Sequence, residues 1–334
     1  MSGPQFDFHP DMAELLAAKD ALPPGEAVET SRTGWNNYAA SMQRPYPVGM
    51  VVGDMPLACP GAGTDGQIMV RFYRPAGLSS PSACVVYLHG GAFIKGNLDS
   101  GDPIAWGIAD QARAVVVGVD YRLAPDNPFP AGVEDCYAVL KHLAAYAPAL
   151  GIDAARLAVW GDSAGGNMAA AVCLMARDRG SPAIAAQVLV YPCLTDDMSA
   201  DSYVRFAEAP VRTDGIDRAW DLYLGPGRPT RNGYAAPLKA EDLSGLPPAH
   251  IHYAEFDCLA DDSRQYAARL KQAGNDVTLR CAERMIHGFV RARFSGPDAA
   301  REYDIPCGFL RRHLYTAQAG TAAPCVTLGT IKSP

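Results

Sequence analysis

The chain has 334 residues, of which 49% are hydrophobic and 19% are charged, and its formal net charge is −7 at pH 7. A chain of this length and composition can bury a sizeable core, which excludes an intrinsically disordered protein. The acidic balance gives no electrostatic reason to bind nucleic acid or anionic lipid, so the expected partner is a small neutral or cationic molecule.

The N-terminal segment, residues 1–48, holds a short amphipathic stretch and several aromatic residues, and we interpret it as part of a cap beside the main domain. It has no basic segment followed by an apolar run, so no secretory signal is predicted and a cytoplasmic location is expected. No apolar run approaches the roughly 20 residues that span a bilayer, so membrane insertion is not expected. The nine cysteines are scattered, which favours reduced and mostly buried thiols.

Residues 49–195 and 246–315 alternate β-rich apolar runs with helical stretches, which predicts a mostly parallel sheet covered by helices on both faces. Residues 196–245 interrupt this α/β pattern and are interpreted as a cap insertion. The tail, residues 316–334, is expected to be poorly ordered. The predicted strands are 68–75, 83–91, 114–124, 156–163, 185–194, 249–257 and 276–283, and the predicted helices are 133–146, 164–177, 263–273 and 299–315.

One serine lies between glycines where a predicted strand passes directly into a predicted helix, in the sequence GDSAGG. The G-x-S-x-G pattern alone is weak evidence, but this strand–turn–helix context is typical of a nucleophile elbow. Gly161 and Gly165 would leave room in a tight turn for close backbone approach. Ser163 would then expose its hydroxyl above the carboxyl end of the sheet. The alternative is a serine that only caps the helix.

A nucleophilic serine needs a base and an acid that orients it. His287, just beyond the last apolar run, could return over the sheet, whereas its alternative is a loop histidine beside a turn glycine. Asp257 ends the preceding strand and is preferred as the acid over Asp261 and Asp262, which begin the next helix. His142, His313 and His9, in helical stretches and the N-terminal segment, are interpreted as surface or packing residues. A zinc site at His250 and His252 lacks further ligands at suitable spacing.

The stretch LHGGAF, residues 88–93, ends an earlier strand in glycines. A backbone without Cβ atoms can bring its N–H groups close to a ligand oxygen, which suits the stabilisation of an oxyanion. The alternative is a flexible turn.

Four motifs in this order, HGGAF, DYRLAPDNPFPAGVEDC, GDSAGGN and IHGF, resemble those of the hormone-sensitive-lipase-like carboxylesterases, family IV of the bacterial lipolytic enzymes. The similarity covers roughly residues 65–315. It implies an α/β-hydrolase fold with an eight-stranded, mostly parallel sheet and a helical cap, and a catalytic triad of Ser163, Asp257 and His287. It also implies an oxyanion hole of Gly90, Gly91 and Ala164, the absence of a metal or organic cofactor, and a homodimer.

The chain departs from the family pattern at a few positions: Ala92 replaces a more usual third glycine, and Cys258 stands where proline often follows the acid. The resemblance favours short- to medium-chain acyl esters as substrates. Aromatic residues are the expected lining of the substrate pocket, although core packing is the alternative for about half of them. They are Phe93, Tyr191, Trp35, Tyr38, Phe206, Trp220 and Tyr223.

Two other functions compete with ester hydrolysis. The same triad could cleave an amide, carbamate or lactone, because acyl transfer to serine is common to these reactions. A catalytically inactive small-molecule receptor is the second alternative, since plant gibberellin receptors resemble this family and lack the triad histidine. His287 in the IHGF motif favours the enzyme.

Overall fold

The computed structural model describes residues 6–20 and 27–315, so the predicted C-terminal tail lies outside the described residues. Its centre is one eight-stranded sheet in the order β1-β2-β4-β3-β5-β6-β7-β8. The pairs of β2 with β1 and with β4 are antiparallel, and the other neighbours are parallel. The strands are β1 (Val51–Ala58), β2 (Gln67–Arg74), β3 (Ser82–Leu88), β4 (Val115–Val119), β5 (Ile152–Asp162), β6 (Ala186–Val190), β7 (Ala249–Phe256) and β8 (Val277–Ile286).

The central strands are continuous apolar runs because helices cover both faces of the sheet. Every residue of β3, β4 and β6 is buried. Two groups of buried apolar side chains form the core. The helices are α1 (Ala13–Asp20), α2 (Val28–Ser41), α3 (Leu98–Ala112), α4 (Ala131–Ala145), α5 (Ala164–Asp178), α6 (Asp201–Arg205), α7 (Thr213–Leu224), α8 (Ala260–Gln272) and α9 (Pro297–Tyr315).

The structure confirms the α/β-hydrolase fold class and adds β1 and α3, for which the sequence pattern gives no prediction. β1 is an edge strand with mostly exposed residues, including Gly53 and Pro56, so it lacks an apolar signal. α3 contains Pro103, yet most of its residues are buried. A capping box between Asn97 and Ser100 fixes its first turn.

The N-terminal helices pack against the carboxyl-end loops of the sheet. The Lys19 ammonium donates to the His287 carbonyl at 2.8 Å. The Arg32 guanidinium donates to the Ile94 carbonyl at 2.8 Å and to the Ala124 carbonyl at 3.1 Å. These bonds hold α1 and α2 against loops that follow β8, β3 and β4. Among the described residues, no helix combines the length and apolar character that a membrane span requires.

Candidate active site

The turn between β5 and α5 forces Ser163 into an unusual backbone conformation, with φ at 58° and ψ at −120°. A residue with a side chain seldom adopts this conformation, and such strain is common at functional sites. The backbone around it is closely packed. A Cβ atom at Gly161 would lie 1.9 Å from the Gly165 carbonyl oxygen, and one at Gly165 would lie 1.9 Å from the Leu88 carbonyl oxygen. Both positions therefore require glycine.

Three side chains from separate loops meet at this turn. The Ser163 Oγ lies 2.9 Å from the Nε2 of His287, and the Nδ1 of His287 lies 2.7 Å from the Oδ2 of Asp257. A carboxylate accepts hydrogen bonds, so the Nδ1 of His287 is the donor and its Nε2 is free to accept the serine proton. All three residues are buried, and Asp257 is fully so.

The other aspartates near Asp257 have different partners. Asp261 accepts from the Ser202 N–H at 2.9 Å and pairs with Arg264. The buried Asp262 accepts from the Leu194 N–H at 2.7 Å and the Tyr203 hydroxyl at 3.0 Å. Burial raises the pKa of Asp262 to about 8, against these hydrogen bonds. Its contacts join the loop after β6 to α6 and α8, so its role is structural.

Gly90 and Gly91 lie beside Ser163, but the Gly90 N–H already has a partner. It donates to the Asp162 Oδ1 at 3.1 Å, and the same oxygen accepts from the Tyr87 hydroxyl at 2.8 Å. In the expected oxyanion hole, this N–H would point at a substrate oxygen. The structure instead uses it to hold the loop after β3 against the serine turn.

The Ala164 N–H lies next to Ser163 in the chain, at the start of α5. Ala164 is the first residue of α5, so its N–H has no acceptor in the preceding turn of the helix. In the loop after β3, Ala92 has a left-handed φ of 53° and lines the same cavity as Gly91 and Ser163. The short side chain at position 92 therefore occupies a conformation that glycine adopts more easily.

A cavity of about 290 Å³ opens at Ser163 and His287. Its walls come from the loop after β3, from the N-terminal helices and from the segment around the start of α7. Among the expected pocket residues, Trp35, Tyr38 and Tyr191 line it. The Tyr191 ring lies 4.3 Å from the His287 ring, centroid to centroid.

The other four expected pocket residues pack elsewhere and are not among the residues that line this cavity. The rings of Phe93 and Tyr223 stack with their centroids 4.1 Å apart, and Trp220 lies 5.1 Å from Phe93. Phe206 packs edge-on against Phe256 at 6.1 Å. An aromatic residue in a cap segment can serve the core or the pocket, and the sequence carries no signal that separates the two.

Several polar residues at the cavity had no signal in the sequence analysis. They are Asp162, Lys19, Lys95 and Arg291, which come from four different segments. Burial, reinforced by the charges of Arg291 and Lys95 and opposed by that of Asp257, lowers the pKa of Lys19 to about 8. Of these four residues, only Asp162 lies within a motif that the sequence could have indicated, because it directly precedes the serine in GDS.

His252 and His9 have polar partners close to them. His252 on β7 lies 3.0 Å from the Glu302 carboxylate, which also pairs with Arg280. His9, Asp11 and Asp298 are the one group in the described ranges whose ligand atoms could surround a metal ion. Asp11 already accepts from the N–H of Asp298 at 3.0 Å, which accounts for its place at the start of α9.

Comparisons with known proteins agree with this fold. Residues 85–291 match the family model described as alpha/beta hydrolase fold. The chain is 40% identical over 259 residues to the carboxylesterase NlhH of Mycobacterium tuberculosis, covering 76% of this chain and 81% of that protein. It is 33% identical over 254 residues to an arylesterase of Saccharolobus solfataricus, covering 75% and 81% of the two chains.

The solved structure of an esterase from Pyrobaculum calidifontis superposes with a TM-score of 0.83 at 32% identity, covering 91% of this chain and 98% of that one. Fold, motifs and relatives therefore agree over most of the described chain. This protein belongs to the hormone-sensitive-lipase-like carboxylesterases of the α/β-hydrolase superfamily.

Proposed function

We propose that this carboxylesterase hydrolyses short- to medium-chain acyl esters through an acyl-enzyme on Ser163, with His287 as the base and Asp257 as the orienting acid. The observation that carries the proposal is the pair of contacts at 2.9 Å and 2.7 Å that joins the three side chains in series. Few structural roles require a strained serine, an imidazole and a buried carboxylate in this order.

In the first step, His287 Nε2 takes the Ser163 proton as the Oγ forms a bond to the ester carbonyl carbon. Asp257 stabilises the imidazolium that results. The tetrahedral intermediate then expels the alcohol, which takes the proton from His287. In the second step, His287 removes a proton from water, whose oxygen attacks the acyl carbon. The bond from that carbon to the Ser163 Oγ then breaks, and His287 returns the proton to the Oγ as the acid leaves.

The N–H groups of Gly91, Ala92 and Ala164 are the donors that we propose for the oxyanion. This replaces Gly90 in the expected set, because the Gly90 N–H is bonded to Asp162. Donors fixed in place before the reaction stabilise the developing charge without a reorganisation cost. Gly90 then positions the loop rather than binding the substrate.

We also propose that residues 1–48 and 196–245 act as the cap over the core segments 49–195 and 246–315. Support comes from the cavity wall, to which the first segment contributes Lys19, Trp35 and Tyr38. The second contributes the stretch from Val211 to Ile216. The acyl and alcohol preferences would then depend on these two segments.

The experiment compares hydrolysis of a short p-nitrophenyl ester by the wild-type protein and the Ser163→Ala variant. Loss of the nucleophile in a comparable triad costs about 10⁶-fold in turnover, so we expect no enzymatic hydrolysis above background. Ser199→Ala, an exposed serine in the loop before α6, serves as the matched control and should retain full activity. Retained turnover in Ser163→Ala would exclude the proposed nucleophile.

The same triad could also cleave amides, carbamates and lactones, and these substrates differ from simple esters in their leaving groups. Assays with an ester, an amide and a lactone that share one acyl group would rank the reactions, and we expect the alcohol ester to be hydrolysed fastest.

We also propose a cytoplasmic location and a homodimer. Light scattering of the purified protein should give twice the chain mass of 35.5 kDa.

A further inference from the structure

Three cations lie in the wall of the cavity beside Ser163, and the proposed hydrolysis uses none of their charges. They are Lys19 from α1, Lys95 from the loop after β3, and Arg291 from the turn after β8. Their hydrogen-bond partners among the described residues are neutral: the His287 carbonyl, the Ser31 hydroxyl and the Ser100 carbonyl. No described carboxylate forms an ion pair with any of the three.

The acidic groups of the cavity do not balance these charges. Asp214 pairs with Arg212 at 3.0 Å, so those two charges offset each other. Asp162 is the other carboxylate in the wall, and it offsets part of the charge of Arg291 without forming an ion pair with it. Asp257, behind the wall, accepts a hydrogen bond from His287, and its negative charge acts on Lys19 without forming an ion pair with it. The cavity therefore keeps a local excess of positive charge in a protein whose net charge is −7.

Two of the three cations lie near the same aromatic ring. The Lys95 Nζ lies 5.2 Å and the Arg291 Cζ lies 5.3 Å from the centroid of Trp35. Arg291 also lies 5.7 Å from the Tyr38 ring. Aromatic faces stabilise cations at such distances, but like charges so close together repel each other. Burial is the main cause that lowers the pKa of Lys19 to about 8, and the charges of Arg291 and Lys95 add to it.

Two buried donors at this wall lack partners. Arg291 is only 5% exposed, and its Nη2 has no hydrogen-bond acceptor among the described residues. The buried Tyr191 hydroxyl also has no hydrogen-bond partner among the described residues. A buried polar group without a partner costs free energy, and most such groups in native proteins are satisfied. An anionic ligand in the cavity would offset the uncompensated charge.

We propose that the preferred substrates of this carboxylesterase carry a carboxylate, bound by Lys19 and Lys95 with the charge of Arg291 behind them. The inference rests on the proposed function, since it concerns the same cavity. A carboxylate suits the site because the cavity of about 290 Å³ is small. Charge-assisted hydrogen bonds from ammonium groups would also fix the substrate relative to Ser163.

The test uses two pairs of esters that differ only in charge. In the first pair the acyl side varies: monomethyl adipate against methyl adipamate, its neutral amide. In the second pair the alcohol side varies: the acetate ester of γ-hydroxybutyrate against that of γ-hydroxybutyramide. We expect kcat/KM to favour the carboxylate member of at least one pair by about tenfold or more at pH 7 and low salt.

Variants identify the groups responsible. Lys95→Gln and Lys19→Gln remove one charge each but keep a hydrogen-bond donor, and each should lower the ratio of kcat/KM within the preferred pair by about tenfold. The ratio cancels any general loss of activity. Lys271→Gln, in the last turn of α8 and exposed, is the matched control and should leave the ratio unchanged.

The outcomes are distinct. Hydrolysis of the neutral esters without a preference for either carboxylate overturns the inference and leaves the proposed function standing. A preference that survives both lysine variants also overturns it. Failure to hydrolyse any of the four esters contradicts the proposed function as well.

Discussion

At the scale of single residues, Gly90 is the position where the smallest change has the sharpest expected effect. A Cβ atom there would lie 2.6 Å from the Asp162 Oδ2 and 3.2 Å from the Ser163 Cβ. It would push the loop after β3 away from the serine turn and move the proposed oxyanion donors with it. Displaced donors stabilise the transition state poorly, although substrate can still bind.

We therefore expect Gly90→Ala to lower kcat by about 100-fold or more. The matched control is Gly53→Ala on β1, where an added Cβ would meet no heavy atom within 4 Å. Steady-state kinetics and thermal unfolding of both variants make the comparison. Wild-type kcat in a folded Gly90→Ala protein would show that the contact between Gly90 and Asp162 does not position the proposed oxyanion donors.

The sequence could predict which side chains meet, because the carboxyl ends of parallel strands share one edge of the sheet. Ser163 and Asp257 each end a predicted strand and His287 follows one, and the structure brings the three into contact. Their catalytic roles remain predictions. The bond between Gly90 and Asp162 joins residues 72 positions apart, and no local pattern indicates whether an N–H faces a substrate or a neighbouring carboxylate.

At the scale of elements, the contacts between β7, β8 and α9 include a buried charge whose contribution depends on pH. Burial by itself would raise the pKa of Glu302, but hydrogen bonds from His252 and Arg280 lower it to about 2. The Glu302 carboxyl therefore binds its proton less tightly in the folded state than in the unfolded chain, where its pKa is near 4.5. Its stabilising contribution is present above about pH 5 and is lost as the pH falls toward 2.

Glu302→Gln should therefore lower the free energy of unfolding near pH 6, and the gap to the wild type should narrow as the pH falls from 5 to 2. Denaturant unfolding at several pH values measures this gap. Glu241→Gln, at an exposed position, is the control and should show little difference at any pH. A gap that stays constant down to pH 2 would contradict the assigned contribution of the carboxylate.

β1 and α3 escaped prediction because contacts with other elements stabilise them, and neither has a marked apolar pattern of its own. β1 is stabilised by pairing with β2 along its whole length, while most of its side chains face solvent, so no apolar alternation marks it. α3 carries Gly101, Pro103 and Gly107, which disfavour a helix, but burial against the sheet outweighs that preference. Strands and helices whose stability depended on their own apolar pattern, such as β6 and α5, were predictable.

At the scale of the whole molecule, the N-terminal helices and the segment at the start of α7 both line the cavity beside Ser163. The bonds from Lys19 to the His287 carbonyl and from Arg32 to the Ile94 carbonyl join the N-terminal helices to loops of the core. The cavity that they help to enclose, about 290 Å³, is at the lower end of the range for small-molecule sites. Its size limits the substrates that fit without movement of these segments.

We expect kcat/KM across a series of p-nitrophenyl esters to peak at a short or medium acyl chain. Longer chains would require displacement of α1, α2 or α7, which reduces transition-state binding. The measurement is kcat/KM at each acyl length under one set of conditions. A maximum beyond about twelve carbons would show that the cavity extends well past these walls.

The central claim is that His287 activates the hydroxyl of Ser163, and covalent labelling tests it most directly. Intact-mass analysis after reaction with a fluorophosphonate should show one adduct per chain, located at Ser163, with none in Ser163→Ala and much slower labelling in His287→Gln. An adduct on another residue, or full resistance to the reagent in a protein that still hydrolyses esters, would contradict the account.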